Sequence, residues 1–318
     1  MNKSGYVKRA LEFRERVYQI YMDYENVLKK VYYFLLVFFI LFAETRLLPY
    51  EHRVSNVGIL LGISLICCFL PVSLQALVSI GVMLFCVCGL SPMLAAGLII
   101  LILSIYCVVM HSAKEDILFL VLVPIGIFLK IPAFFAIIAG LYFGPAVLGS
   151  LAGGVVIYFF LQQVKMHEGA LQKGADSLEI LKLVLDGMFR RPDMYLLLLA
   201  LCVASIGVYL IRKQKFAYMF EGAIAFGGLW CLILFLIGCV VFQWKYGIVA
   251  SLLGSVISLL LAYVVQFFYM VLDYGAVEEV QFEDEDYFYH VRAVPKLKMT
   301  LENREVRKIY ASKKQNRS

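Results

Sequence analysis

Long apolar runs alternate with short polar segments along most of this chain, and the alternation predicts a series of membrane helices. An upright helix needs about 20 apolar residues to cross a bilayer. Most of the runs approach that length, while three are clearly shorter. The ten predicted membrane segments are 31–48, 56–70, 72–88, 93–111, 117–129, 132–143, 145–163, 194–211, 222–242 and 247–271.

The polar segments predict three further elements. Residues 1–30 place apolar side chains at helical spacing between Lys and Arg, which predicts a cytoplasmic amphipathic helix on the membrane surface, with a partner-binding helix as the alternative. The external loop 164–193 contains an interfacial helix that begins at a capping box around Asp176. The tail 273–318 alternates in period two over 277–294, which predicts a cytoplasmic β-hairpin followed by a basic end.

Composition supports this architecture. Of the 318 residues, 62% are hydrophobic and 16% are charged, and the mean hydropathy is +0.85. Soluble domains are about half apolar and a quarter charged, so a water-exposed fold is excluded. We therefore predict an all-α polytopic membrane protein of 8–10 membrane helices, with a bundle over 31–272. The net charge of +6 does not imply nucleic acid, and 20 of the 29 Lys and Arg residues fall in segments that are cytoplasmic if both termini face inwards.

Small residues recur four apart in three related segments, 89–106, 142–160 and 243–263. Such spacing lets helix backbones approach closely inside a bilayer. It predicts helix packing within the chain, and homo-oligomer formation is the alternative use of the same surface. The predicted packing residues are Gly149, Gly153, Ala250, Gly254 and Ser258.

Segments 117–129 and 132–143 predict a hairpin around Lys130 that either crosses the membrane or re-enters it. Irregular backbone at that depth occurs where it is buried in protein or lines a wet cavity. Broken, Gly- and Pro-rich helices also mark transporter binding sites. Lys130 would hold an anionic group if the hairpin re-enters, and would merely snorkel to the interface if it crosses. The candidate polar or transport site is Lys130, Pro132, Gly140, Gly144 and Pro145.

Other polar residues of the predicted spans have simpler interpretations. Glu44 and Arg46 lie near the end of the first span, where they could pair or mark a polar pathway, although this position favours an interface anchor. Gln75 and Gln266 are expected to bond between helices. The four His are scattered, and neither a metal-ligand motif nor a phosphate-binding loop is present. We therefore predict no catalytic residues, no metal, no cofactor and no enzyme activity.

The tail sequence VQFEDEDYFYHVRAVPK (Val280–Lys296) and the central sequence VPIGIFLKIPAFFAIIAGLYFGP (Val123–Pro145) resemble a family of multi-pass membrane proteins of anaerobic Gram-positive bacteria with no assigned activity. The resemblance implies a bacterial plasma-membrane location and a cytoplasmic tail. It supplies no catalytic residues.

Two functions follow as hypotheses, both with the lipid bilayer as the first partner. The first is a structural or assembly component of the cell envelope that docks a cytoplasmic protein through 277–294, where a strand edge could pair with a partner. Its docking residues would be Phe282, Tyr287, Tyr289 and Val291. The second is a transporter or channel subunit with its polar site near Lys130 in the hairpin 117–143. A membrane-embedded enzyme is the third and weakest hypothesis.

Overall fold

The hydrophobic runs form helices in a computed structural model of the chain. The structure describes residues 3–48, 56–109, 117–172, 176–214, 218–242, 248–269, 278–283 and 288–293. Within these ranges the α-helices are α1 (Lys3–Asp23), α2 (Glu25–Leu47), α3 (Val57–Cys67), α4 (Val72–Leu90), α5 (Pro92–Val109), α6 (Leu118–Phe128), α7 (Pro132–Ile138), α8 (Leu148–Gln172), α9 (Ser177–Phe189), α10 (Pro192–Arg212), α11 (Met219–Val241) and α12 (Ile248–Tyr269).

The prediction of an all-α polytopic membrane protein is confirmed. Six helices of the described ranges are long and apolar enough to cross a membrane: Glu25–Leu47, Val72–Leu90, Pro145–Leu171, Pro192–Arg212, Met219–Val241 and Ile248–Tyr269. Four shorter apolar helices accompany them: Val57–Cys67, Pro92–Cys107, Leu118–Phe128 and Pro132–Phe143. Each of the ten predicted segments corresponds to one of these helices.

Helix α12 shows why the bundle suits lipid. Its outward face carries large apolar side chains, and its buried face carries small or polar ones. This is the reverse of a helix from a soluble protein, and it fits a solvent that is itself apolar. The exposed residues include Val249, Leu253, Val256, Leu260 and Val264, and the buried ones are Ser251, Gly254, Ser255, Ser258, Ala262 and Gln266.

Helix α8 is the most buried of the six long helices and packs against α5, α6, α9 and α10. It continues to Gln172, nine residues beyond the predicted end of its span at 163. Val164 is fully buried in this extension. The predicted external loop 164–193 is therefore helical over most of its described length, because the end of α8 packs on α9 and does not stop where the apolar run stops.

Helix α9 begins at Ser177, and the side chain of the preceding residue, Asp176, accepts a hydrogen bond from the Leu178 amide at 3.1 Å. This is the N-cap that the sequence predicted. Ile180, Val184 and Met188 face the core, so α9 packs into the bundle. The sequence also predicts one apolar stripe on this helix, made of Leu178, Leu181, Val184, Leu185 and Met188. Val184 and Met188 are buried and Leu181 and Leu185 are partly buried, whereas Leu178 is 45% exposed.

The two ends of the chain are described in part. Helix α1 ends at Asp23, about two turns before the predicted limit of the amphipathic helix at residue 30, because α2 begins at Glu25. In the tail, strand β1 (Glu278–Glu283) pairs with strand β2 (Phe288–Ala293) in antiparallel register. Only the backbone of these strands is described, and the basic end beyond 293 lies outside the described residues.

Candidate functional site

The hairpin formed by α6 and α7 turns at Lys130. The amide of Ile131 donates to the Gly126 carbonyl at 2.8 Å, and the amide of Lys130 donates to the Ile127 carbonyl at 3.1 Å. Lys130 itself has φ 64. These bonds and the left-handed residue are the Schellman arrangement that ends many helices, in which glycine usually takes the place of Lys130. Pro132 then starts α7 with its fixed φ.

The tip of this hairpin lies against α12. A side-chain carbon at Gly254 would overlap the backbone carbonyl oxygen of Lys130, so the two backbones touch. Around this contact α12 presents a row of buried serines. Ser258 donates to the Gly254 carbonyl at 2.7 Å, and Ser251 lies 3.2 Å from the Cys239 sulfur. The Ser255 hydroxyl is buried without a hydrogen-bond partner in the described part of the chain. We call Ser251, Ser255 and Ser258 the serine row.

The second arm of the hairpin, which begins with α7, ends in irregular backbone far from the tip. After α7 the backbone makes a π turn over Ala139–Phe143, and Gly144 follows with φ 88. Gly140 packs on the Ser205 carbonyl and on Val208 of α10, where a side chain would overlap both. Pro145 opens the short 3-10 turn that leads into α8.

The predicted site residues are therefore not brought to one place. Lys130 and Pro132 lie at the tip, while Gly140, Gly144 and Pro145 lie at the far end of the arm, roughly 20 Å away at the helical rise of 1.5 Å per residue. The Lys130 side chain is exposed on the surface of the bundle. What converges at the tip is backbone and serine, with the lysine side chain at its margin.

The predicted packing residues lie in or near helix contacts. Gly153 faces Ile105 and Leu120, and Gly254 faces the Lys130 carbonyl. Ser258 is fully buried, whereas Gly149 and Ala250 are partly buried.

Glu44 is the buried polar residue whose position the sequence interpretation missed. Its side chain is 2% exposed, and its Oε1 accepts a hydrogen bond of 2.6 Å from the Ser79 hydroxyl on α4. Its Oε2 is buried without a partner in the described residues. The expectations that Glu44 is an interface anchor or pairs with Arg46 are wrong. Arg46 faces outwards and lies over the Phe42 ring, with its Cζ 5.1 Å from the ring centroid.

The one signal for this site in the sequence is that the residues on either side of Glu44 are small. Glu44 lies between Ala43 and Thr45, at the point where the preceding run of bulky aromatic and aliphatic residues ends. Small neighbours permit close contact with another helix, but they do not say which helix. The partner hydroxyl at Ser79 lies 35 residues away and is identified only by the fold.

The expectation that Gln75 bonds between helices is confirmed. The Gln75 side-chain amide donates to the Cys67 carbonyl at 3.1 Å and to the Leu70 carbonyl at 2.9 Å. These two bonds give a donor to the carbonyls of the partly buried turn between α3 and α4. The bond to Cys67 joins Gln75 on α4 to the last residue of α3. Gln266 is buried on α12.

The remaining candidate chemistry is limited. In the part of the chain that the structure describes, no group of three or more His, Cys, Asp or Glu could hold a metal ion. Of the predicted docking residues, Phe282 lies opposite Tyr289 in the strand register and Val291 lies opposite Val280. Tyr287 lies outside the described residues.

Comparisons of the chain with protein-family models, with curated proteins and with solved structures gave no match.

Proposed function

We propose that this integral membrane protein is a transporter or channel subunit, a role that we call the carrier function. In this proposal the α6–α7 hairpin re-enters the membrane, and its tip borders the transport path. The observation that supports it is the contact between the tip and Gly254. Gly254 lies six residues after the start of α12, which is roughly 9 Å along the helix. The tip therefore lies beside α12 at a point inside the helix, and not at its first residue, Ile248.

The start of the first arm of the hairpin lies beside the end of its second arm. The rings of Phe119, near the start of α6, and Phe143, at the end of the π turn, are 5.0 Å apart. The rings of Tyr142 and Tyr269 are 4.8 Å apart, and Tyr269 is the last residue of α12. The open end of the hairpin thus lies at one end of α12 and its tip near the other.

Length and burial favour re-entry over crossing. Helix α6 has 11 residues and a length of roughly 16 Å, about half the 30 Å hydrocarbon thickness. Eight of these residues are buried, so protein and not lipid surrounds the arm. Interrupted helices enclosed in this way are typical of secondary transporters, whose binding sites lie where the helices break.

The test is uptake by proteoliposomes that contain the full chain, assayed against a panel of amino acids, sugars, nucleosides and monovalent ions. We expect uptake of at least one class above that of empty vesicles. Lys130→Met should abolish it and Lys130→Arg should retain it if the cation at the tip contributes to the site. No uptake of any class would reject the carrier function, whereas uptake that survives Lys130→Met would exclude Lys130 from the path.

The assembly role is the second candidate, and the observation that favours it is the strand pair of the tail. In a two-stranded sheet each strand has one edge that the other does not cover, and such an edge can accept a further strand. Deletion of 276–318 should release co-purifying proteins in a pull-down from mild detergent. Deletion of 295–318, which keeps both strands, is the control and should retain them.

The same proposal places the protein in a bacterial plasma membrane with both termini in the cytoplasm. Its support is the distribution of Lys and Arg, of which the cluster Arg212, Lys213 and Lys215 follows α10 directly. The serine row and the hairpin tip then lie nearer the external face.

A further inference from the structure

We propose that Glu44 and Ser79 form a proton-binding site inside the bundle. Glu44 is the one Asp, Glu, Lys or Arg among the buried residues that the structure describes. Its Oε1 accepts the hydrogen bond from Ser79 at 2.6 Å. Its Oε2 is buried and has no hydrogen-bond partner among the described residues. A carboxyl group so placed has one oxygen bound as an acceptor and one oxygen open to a proton.

Among the residues that the structure describes, no cationic side chain forms an ion pair with this carboxyl. Helices α3, α4 and α6 pack against α2. Their titratable residues are Cys67 on α3 and Cys86 and Cys88 on α4, and the sequence of α6 contains none. Arg46 faces outwards. An ionised carboxylate in apolar surroundings without a counter-charge is far less stable than in water, so such groups take up a proton.

The charged residues of α1 and of the start of α2 are too far from Glu44 to act as counter-charges for its carboxylate. Helix α1 joins α2 at Tyr24, which lies roughly 30 Å along the helix from Glu44. Lys29 forms an ion pair with Glu25 at 2.6 Å, and the Lys30 ammonium lies 5.1 Å from the centroid of the Phe69 ring. These groups lie at the other end of α2.

The number of oxygens distinguishes a proton from a metal ion. In the described part of the chain, the hydrogen bond brings together three side-chain oxygens: Glu44 Oε1, Glu44 Oε2 and Ser79 Oγ. Mg²⁺ and Ca²⁺ require about six or more. The neighbouring Thr45 hydroxyl donates to the Phe42 carbonyl at 3.0 Å and is engaged with its own helix. A single proton needs only Oε2.

The proton balance is simple. A proton from water adds to Oε2 and the negative charge disappears, while Oε1 remains the carbonyl oxygen that accepts the bond from Ser79. On release the proton returns to water, and the carboxylate keeps the Ser79 bond. Binding at this site is independent of the carrier function, but the use of the proton to drive transport rests on that proposed function.

The test is modification by dicyclohexylcarbodiimide, an apolar reagent that reacts with protonated carboxyl groups. The full chain in mild detergent is treated over a range of pH, and labelled peptides are identified by mass spectrometry. We expect labelling of Glu44 at neutral pH that is lost as the pH rises, and none in Glu44→Gln. In Ser79→Ala the loss should occur at higher pH, because the carboxylate loses its donor.

Controls make the result specific. Glu25 lies on the same helix at the surface, and it should remain unlabelled at neutral pH. A pH-dependent infrared band of a protonated carboxyl that disappears in Glu44→Gln provides a measurement that does not need reagent access. Absence of both the label and the band would overturn the proposal. Loss of the label when Na⁺ replaces choline at constant pH would also overturn it, in favour of a metal cation.

These readouts are separate from transport. Vesicles that take up no solute would reject the carrier function and leave the proton site as measured. Uptake that persists without a Glu44 label or band would do the reverse.

Discussion

Gly254 of α12 touches the backbone carbonyl of Lys130, so that a glycine of one long membrane helix receives the turn of a short hairpin. Two features with separate interpretations in the sequence, a small-residue motif and an isolated lysine, meet at this point. The contact needs a residue without a side chain on one helix and an exposed carbonyl on the other. It explains why Gly254 is glycine without reference to a second copy of the chain.

Gly254→Ala should destabilise the protein by about 1–3 kcal/mol, because its methyl group overlaps a backbone atom that cannot rotate away. Unfolding in mixed detergent micelles, followed by tryptophan fluorescence, measures the change. Gly81→Ala is the matched control, since Gly81 lies inside α4 with nothing within 4 Å of the added carbon. It should be neutral or stabilising. Equal effects of the two substitutions would contradict the tight contact.

Lys130→Gly should stabilise the fold by about 1 kcal/mol, because glycine adopts the left-handed conformation of this residue without steric cost. Lys130→Val should destabilise it, since a branched side chain opposes that conformation most strongly. The same unfolding assay compares them. If glycine proves as harmful as valine, contacts of the lysine side chain outweigh its backbone strain.

Gln75→Leu should cost about 1–3 kcal/mol, because it leaves the Cys67 and Leu70 carbonyls without their side-chain donor in a partly buried turn. Thermal unfolding in detergent measures the loss. Ser104→Ala is the control, because Ser104 is exposed and bonds only within its own helix to Leu101. A Gln75→Leu protein as stable as the control would show that this turn has other donors.

Asp176→Ala should cost about 1 kcal/mol, because it removes the N-cap of α9. Asp176→Asn should retain nearly full stability, since an amide oxygen also accepts from the Leu178 amide. Asp186→Ala removes an exposed carboxylate from the same helix, away from its first turn, and serves as control. Thermal unfolding of all three variants separates a capping effect from a change in charge.

Orientation is testable with single cysteines in a variant whose eight native cysteines are replaced. With both termini cytoplasmic, Cys at position 182 on α9 should react with a membrane-impermeant maleimide in intact cells. Cys at position 214, directly after α10, should react only after permeabilisation. The opposite pattern would invert the proposed topology.

The positions of the membrane helices were predictable, because each depends on the hydrophobicity of a continuous stretch of residues. The cap at Asp176 was predictable for the same local reason. The extension of α8 to Gln172 was not, since residues 164–172 are too polar for a hydropathy signal and are helical because they pack on α9. The predicted stripe of α9 was wrong only at its first member, Leu178, in whose place Ile180 is buried, because the partners α5 and α8 select which side is buried.

The sequence alone determined that this is a helical membrane protein, since hydrophobic length and small-residue spacing are properties of consecutive residues. Only the tertiary structure decided which polar groups are enclosed. It placed Glu44 against Ser79 and turned Arg46 outwards, although the two charged residues are two positions apart. The reason is physical: burial and hydrogen bonding depend on which helices surround a side chain, and neither can be read from its immediate neighbours in the chain.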